Sequence, residues 1–348
     1  MWKIFESKDA SGGALSKKIP GFLFWVFYRK TMQRFSVFFL SAGLFVGLAH
    51  LYPVVNIDPF SDLGNYYYDF WRELATAEIS DVILRYEPGF VLLAWVASKF
   101  VSFSGFLWLL KFVLFYAFFL LLSSERRGVY MATLVAVLGM SYYLPLNALA
   151  SLVIRQGVAT AVFFCFLAVC DLDKVARVKA LGWALVMIAF HYSSVFVLFA
   201  LLLYFYLPAA RPFQLWLAFL ALYCTNISGK VGEFMYSLLG MNISSLEALN
   251  GDFGIEYMVG FKLTFLLLSI IFIVVPLMLS RLGLIVLQSG ELVEQPWFRL
   301  YFLLNSLATI FSALPFHDRF FMWSWVLGPA LVIASLRFRV HRNRKVTV

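Results

Sequence analysis

The sequence predicts an all-α fold, a polytopic integral membrane protein of about 10 or 11 transmembrane helices. Three observations predict it. Hydrophobic residues make up 62% of the chain and charged residues only 14%, against about 25% charged in a soluble domain. The mean hydropathy is +0.85. Apolar runs near the length needed to span a bilayer recur along the whole chain. Neither a compositional break nor an internal repeat or low-complexity tract interrupts them.

Taken in order, residues 1–34 carry Lys3, Lys8, Lys17, Lys18, Arg29, Lys30 and Arg34 against Glu6 and Asp9. This reads as a basic cytoplasmic segment, not a cleavable signal, since no small-residue cleavage site follows a short apolar core. Residues 35–336 read as the membrane domain. Its candidate spans are 35–55, 89–101, 105–122, 130–146, 152–170, 180–190, 194–207, 213–225, 261–282, 298–314 and 320–336. The tail, 337–348, holds Arg337, Arg339, Arg342, Arg344 and Lys345 with no acid. By the positive-inside rule both termini are cytoplasmic. The net charge of +9 thus collects at membrane boundaries, which argues against a nucleic-acid partner and for membrane lipid.

Two polar connections, 56–87 and 226–260, are net acidic and read as outer loops. The first contains Asp58, Asp62, Asp69, Glu73, Glu78, Asp81 and Glu87, which individually read as a solvated face. Its Tyr66–Tyr68 run reads as an interfacial aromatic belt before a sugar-stacking platform. Lys174, Arg177, Lys179 and Arg211 mark inner connections. If 89–101 spans, Arg126 and Arg127 fall on the outer face, against the positive-inside rule. At about 20 Å of helix, 89–101 is short, and a re-entrant or interfacial segment restores the parity. The run from 180 to 207 is read as two short helices broken at His191–Ser194. Cys165, Cys170 and Cys224 lie in apolar stretches and read as buried and inert; no spacing suggests a metal site.

Depth brings the polar residues together. About 24 Å of helix separates Arg155 from Asp171, about 21 Å separates His191 from Arg177, and about 27 Å separates Arg319 from Arg337. All three therefore reach the outer third of a core about 30 Å thick. His317 and Asp318 sit beside Arg319, and Gln156 beside Arg155. Arg155 either snorkels to outer headgroups or takes a buried role, binding an anion or pairing with an acid such as Glu87. His191 is either a general base or a helix-break residue, and His317-Asp318-Arg319 either part of a site or a polar turn.

Motifs of soluble enzymes are missing: there is no P-loop, no G-x-G-x-x-G opening a helix, no G-x-S-x-G and no H-E-x-x-H. No inner connection is long enough for a nucleotide-binding domain. A substrate must therefore arrive in the membrane already activated, and no cofactor is called for.

Asp62-x-x-x-Tyr66, Glu87-Pro88-Gly89-Phe90, Ile154-Arg155-Gln156 and Phe190-His191-x-Ser193 occur in that order. This ordered set resembles the EpsG-like polysaccharide polymerases, relatives of the Wzy O-antigen polymerases. It covers residues 50–210 well, and beyond them Arg319-Phe320 opens the last span. The resemblance implies a membrane glycosyltransferase of GT-C-like architecture in the bacterial inner membrane, with its active site facing the periplasm. Such enzymes polymerise lipid-linked oligosaccharide repeat units carried on undecaprenyl pyrophosphate, for O-antigen, capsule or exopolysaccharide. A chain-length regulator and a flippase are the implied protein partners.

Within that reading, Arg155 and Arg319 supply cations for the pyrophosphate, with Gln156 shaping the pocket. His191, Asp62 or His317 would act as base, and Arg85, Glu87 and Tyr66 would contact substrate. One rival is a GT-C enzyme with a polyprenyl-monophosphate sugar donor and Asp58 or Asp62 as base. Another is a transporter of lipid-linked sugars, which would show paired repeats and broken helices near the midplane.

Overall fold

The computed structural model describes residues 62–74, 76–83, 85–124, 143–228, 230–231, 234, 260–282, 294–312, 314 and 317–332. The basic ends, the run 35–55, Arg126 and Arg127, and most of 226–260 lie outside the described residues.

Every element among the described residues is helical. The first is a run of short pieces: α1 (Asp62–Asn65), a π-helical turn (Tyr66–Trp71), α2 (Arg72–Leu74) and α3 (Ile79–Val82). This segment, read as an outer loop from its acids, has an apolar face of its own. Tyr66, Phe70, Trp71 and Leu74 are buried and pack with Phe90, Phe103 and Phe106. Trp71 stacks on Phe106 at 4.8 Å, and Tyr67 lies 5.2 Å from Phe103. The aromatic-belt reading is therefore corrected for Tyr66. In this run only Tyr68 is well exposed, because the wide π turn carries Tyr66 and Phe70 to the inner side.

Next come α4 (Pro88–Ser98) and α5 (Phe103–Ser124). Pro88 suits the first turn of α4, where its missing N–H has no partner to lose. At 11 residues, α4 extends about 16 Å, roughly half the thickness of a bilayer core. Gly89 allows its close seating: a Cβ there would lie 2.7 Å from the Ala189 carbonyl oxygen.

The helices α6 (Leu144–Ser151) and α7 (Ile154–Val169) meet at a bend of 118°. A side chain at Gly157 would collide with the Leu149 carbonyl across this bend. Below it, α7 buries Phe163, Phe164, Phe166 and Leu167 and packs along α5. Then α8 (Arg177–Phe190) stops at His191, whose backbone is extended, and a 3-10 turn (Tyr192–Ser194) leads into α9 (Val195–Tyr206). The Ser194 hydroxyl donates to the Met187 carbonyl at 3.1 Å and closes the break. The break expected at His191–Ser194 is thus present.

The remaining helices are α10 (Arg211–Cys224), α11 (Leu263–Arg281), α12 (Pro296–Ile310) and α13 (Asp318–Trp325). Buried Asn305 of α12 joins all four. Its amide oxygen accepts from Trp216 Nε1 at 2.9 Å, and its amide nitrogen donates to the Ser269 and Ser324 hydroxyls, each at 2.9 Å. Trp325 Nε1 also donates to Ser269. In apolar surroundings each lost partner would leave a costly unsatisfied group. Cys170 is buried and Cys165 only partly so, but Cys224 is exposed. Its expected burial is corrected, because Trp216, Leu220 and Tyr223 take the inner face of α10.

Among the described residues two helices are long and apolar enough to cross a membrane by themselves, within Phe103–Leu122 and Leu263–Arg281. The bent pair α6–α7 adds a third if it is one span. Other apolar runs become shorter helices, because local breaks such as His191 and starts such as Pro296 cut them.

The bend at Gly157 gives a direct test. Replacing Gly157 with Ala is expected to lower the thermal midpoint of the purified protein in detergent, since overpacking of this kind costs about 1–3 kcal/mol. An unchanged midpoint would show that the bend accepts a side chain.

Candidate active site

The residues that bring chemistry to one place come from four elements. Glu87 precedes α4, Arg155 is in the first turn of α7, His191 lies between α8 and the 3-10 turn, and Tyr66 opens the π turn. The close approach of Gly89 to Ala189 puts the start of α4 beside the end of α8. The bend at Gly157 turns the start of α7 toward both.

Glu87 is the hub, with 1% of its surface exposed. One carboxylate oxygen, Oε1, lies 3.0 Å from His191 Nδ1 and accepts the Tyr192 backbone N–H at 3.2 Å. The other, Oε2, accepts from Arg155 Nη1 at 2.5 Å. Burial opposes ionisation here, but the His191 hydrogen bond and the Arg155 charge outweigh it and hold the carboxyl down at about 2. Glu87 is therefore an anion at neutral pH and can only accept hydrogen bonds. It follows that His191 Nδ1 carries the proton and donates it, leaving Nε2 with its lone pair. Burial keeps the imidazole below its ordinary value, against the pull of Glu87, so the ring is neutral. Its Nε2 has no hydrogen-bond partner among the described residues.

Arg155 is held on two edges. Nε donates to the Tyr66 hydroxyl at 2.5 Å and Nη1 donates to Glu87. The guanidinium also lies over the Tyr86 ring at 4.7 Å and the Tyr66 ring at 5.3 Å, a cation–π arrangement. Nη2 makes no hydrogen bond among the described residues, and the side chain is 19% exposed. An imidazole whose Nε2 is not sealed in the core and a partly exposed guanidinium thus hang on the two oxygens of one carboxylate.

Gln156 faces the other way along α7. Its Nε2 donates to the Arg319 carbonyl at 2.6 Å, and its buried Oε1 has no partner among the described residues. Trp323 Nε1 donates to Ser193 at 3.1 Å. Together these two contacts tie α13 to the network at both α7 and the 3-10 turn. The field of Arg319 reaches His191 and adds to the lowering of its imidazole.

Other expected residues lie elsewhere. Arg85 pairs with Glu73 at 2.5 Å on the exposed side, where such a pair adds little. His317 is fully buried, with Nδ1 3.0 Å from the Leu314 carbonyl and its ring 5.1 Å from that of Phe265; its Nε2 is sealed without a partner. The backbone of Asp62 opens α1, but its side chain, like all of Asp58, lies outside the described residues. Among those described, no group of three or more His, Cys, Asp and Glu could hold a metal ion. Tyr86, Trp323 and the Tyr192 N–H were not expected. Tyr86 carried one signal, its place directly before Glu87-Pro88-Gly89.

The model of one protein family, the EpsG family, matches residues 35–348. The match begins where the first apolar run begins. No curated protein and no solved structure matches the chain.

Glu87 also sets an acid limit. Its carboxyl titrates at about 2 in the folded protein, below the ordinary 4.5, so the stability it contributes is complete above about pH 4.5 and is lost as the pH falls toward 2. The thermal midpoint is expected to fall over that window in wild-type protein, and less so in Glu87→Gln. Parallel midpoint curves for the two proteins would refute the depressed value.

Proposed function

We propose, for a chain that belongs to the EpsG family over residues 35–348, that it polymerises lipid-linked oligosaccharide repeat units at the outer face of the bacterial inner membrane. The polyprenyl pyrophosphate carrying the growing glycan is the donor, and a sugar hydroxyl of the incoming unit is the acceptor. The observation that carries this reading is the joint seating of His191 and Arg155 on Glu87. It places a proton acceptor and a cation side by side, which glycosyl transfer to a hydroxyl with a pyrophosphate leaving group requires.

In the reaction the acceptor hydroxyl attacks the anomeric carbon of the donor glycan. A new C–O bond forms as the bond from that carbon to the pyrophosphate oxygen breaks. The hydroxyl proton passes to His191 Nε2, and the electron pair of the broken bond leaves on the lipid pyrophosphate. Its negative charge grows in the transition state, where a preoriented cation lowers the barrier. Arg155 meets it through Nη2, the edge that Tyr66 and Glu87 leave open. Arg319 adds a second positive charge nearby. The energy of transfer comes from the lipid pyrophosphate itself, in keeping with a chain that has no nucleotide motif.

The membrane arrangement is part of this proposal: 10 or 11 spans by the spacing of apolar runs at about 20 residues each, cytoplasmic ends, and a GT-C-like enzyme open to the periplasm. Two apolar helices of spanning length and the bent α6–α7 pair support it.

Purified protein should extend glycan chains from lipid-pyrophosphate-linked repeat units with no nucleotide sugar present. Absence of chain growth in that assay, with protein folded and substrate intact, would end the proposal. His191→Ala should lose about 10²–10⁴-fold in rate at near-normal abundance. Arg155→Lys should be impaired as well as Arg155→Ala, because an ammonium lacks the planar fork. If Arg155 serves only to neutralise Glu87, the double variant lacking both charges is no less active than Glu87→Gln alone; the pyrophosphate role predicts a further loss.

A further inference from the structure

We infer that Glu87 is a positioning residue, which fixes His191 in the Nδ1–H tautomer with Nε2 aimed outward as the base and holds Arg155 by one edge beside it. This rests on the polymerase reading of the site. It differs from a substrate-binding role for Glu87, since both oxygens of the buried carboxylate already accept from protein donors. One oxygen takes two donors, His191 Nδ1 and the Tyr192 N–H, and the other takes Arg155 Nη1. At 1% exposure a sugar hydroxyl cannot reach it without displacing one of them.

The backbone makes the arrangement rigid. His191 sits in an extended conformation at the end of α8, so its ring cannot drift along a helix face. The Tyr192 N–H, the first donor after the break, is anchored on the same oxygen as the ring. The 3-10 turn that follows is closed by Ser194 and tied through Ser193 to Trp323. His317 offers a contrast within the same chain. Its Nδ1 also faces an oxygen, the Leu314 carbonyl, but its Nε2 is sealed. Of these two histidines, His191 alone combines an ionised partner on Nδ1 with an Nε2 outside the sealed core. A neutral imidazole favours the tautomer whose proton has an acceptor. A carboxylate on Nδ1 also stabilises the imidazolium that forms once Nε2 takes a proton, as in other carboxylate–histidine pairs.

The test uses full-length protein labelled with ¹⁵N-histidine in detergent or nanodiscs. The His191 resonances are assigned by their loss in His191→Asn. Wild-type protein should show Nδ1 protonated and Nε2 unprotonated at neutral pH. Glu87→Gln, nearly isosteric, should lose that single tautomer. In polymerisation assays the same variant should show kcat lowered about 10²-fold or more, within the range that loss of a general base costs, while KM for the lipid-linked unit stays near wild type. A raised KM with kcat unchanged would make Glu87 a binding residue and overturn the inference. So would a wild-type Nε2–H tautomer, or a Glu87→Gln protein with wild-type tautomer and kcat. The tautomer measurement needs no substrate, and it reads the wild-type protein even if the variant fails to fold. Wild-type protein that shows the Nδ1–H tautomer yet never extends a chain would sink the polymerase reading and leave the positioning geometry standing. Wild-type chain growth with an indifferent Glu87→Gln would do the reverse.

Discussion

A carboxylate cannot be buried alone. Taking an ion out of water costs several kcal/mol even after the protein relaxes, and only well-placed donors offset it. Glu87 is almost completely enclosed, so the fold must deliver donors to both of its oxygens. They arrive from α7, from the end of α8 and from the first N–H of the 3-10 turn. That requirement explains features that look unrelated in the sequence. Gly89 lets α4 start against the Ala189 backbone, and Gly157 lets α7 turn sharply from α6. The break at His191 exposes a backbone N–H that a continued helix would have used internally.

The same constraint assigns different work to the two large polar networks. The Asn305 network is closed: both amide hydrogens and the amide oxygen have partners within α10–α13. It fixes helix packing and leaves nothing over for a ligand. The Glu87 network is open at its rim, where Arg155 Nη2 and His191 Nε2 remain without partners among the described residues. The helix α13 connects the two. Ser324 and Trp325 belong to the closed network, while Arg319 and Trp323 reach Gln156 and Ser193. The site is therefore braced by the packed bundle and does not depend on short helices alone.

Much of the site was legible because charge in an apolar chain is rare and its depth can be counted along a helix. Arg155, His191 and Arg319 were placed at one level from spacing alone, and Glu87 was named as a pairing acid. The break at His191–Ser194 followed from inner-face charges on both sides of a run too polar at its centre. What spacing could not give is direction around the helix and the choice among neighbouring acids. Seven acids occur in 56–87, and only the Pro88-Gly89 that follows sets Glu87 apart from Glu73 in sequence; burial separates them in the structure. Tyr66 read as a surface aromatic because the π turn that rotates it inward leaves no periodic trace. His317, adjacent to two charged residues, read as a polar candidate, although Phe265 and Phe321 enclose it. Arg85 lies two residues from Glu87, yet it points to the exposed side and pairs with Glu73.

Arg155 itself shows why pairing and anion binding need not exclude each other. A guanidinium has five N–H donors in a fixed plane. Tyr66 takes the Nε donor and Glu87 takes one at Nη1, while Tyr86 and Tyr66 cover its faces. Those contacts lock the plane and partly neutralise the charge. The remaining edge keeps its donors and its direction, so in the proposed reaction an arriving pyrophosphate would meet a cation that is already oriented. An ammonium in the same place would be a point charge with rotating donors, satisfied by whichever acceptor lay nearest. With Glu87 permanently at hand, that acceptor would be the carboxylate, and the charge would turn inward. The planar fork is what allows one residue to hold the fold together on one edge and keep donors for the proposed phosphate on the other.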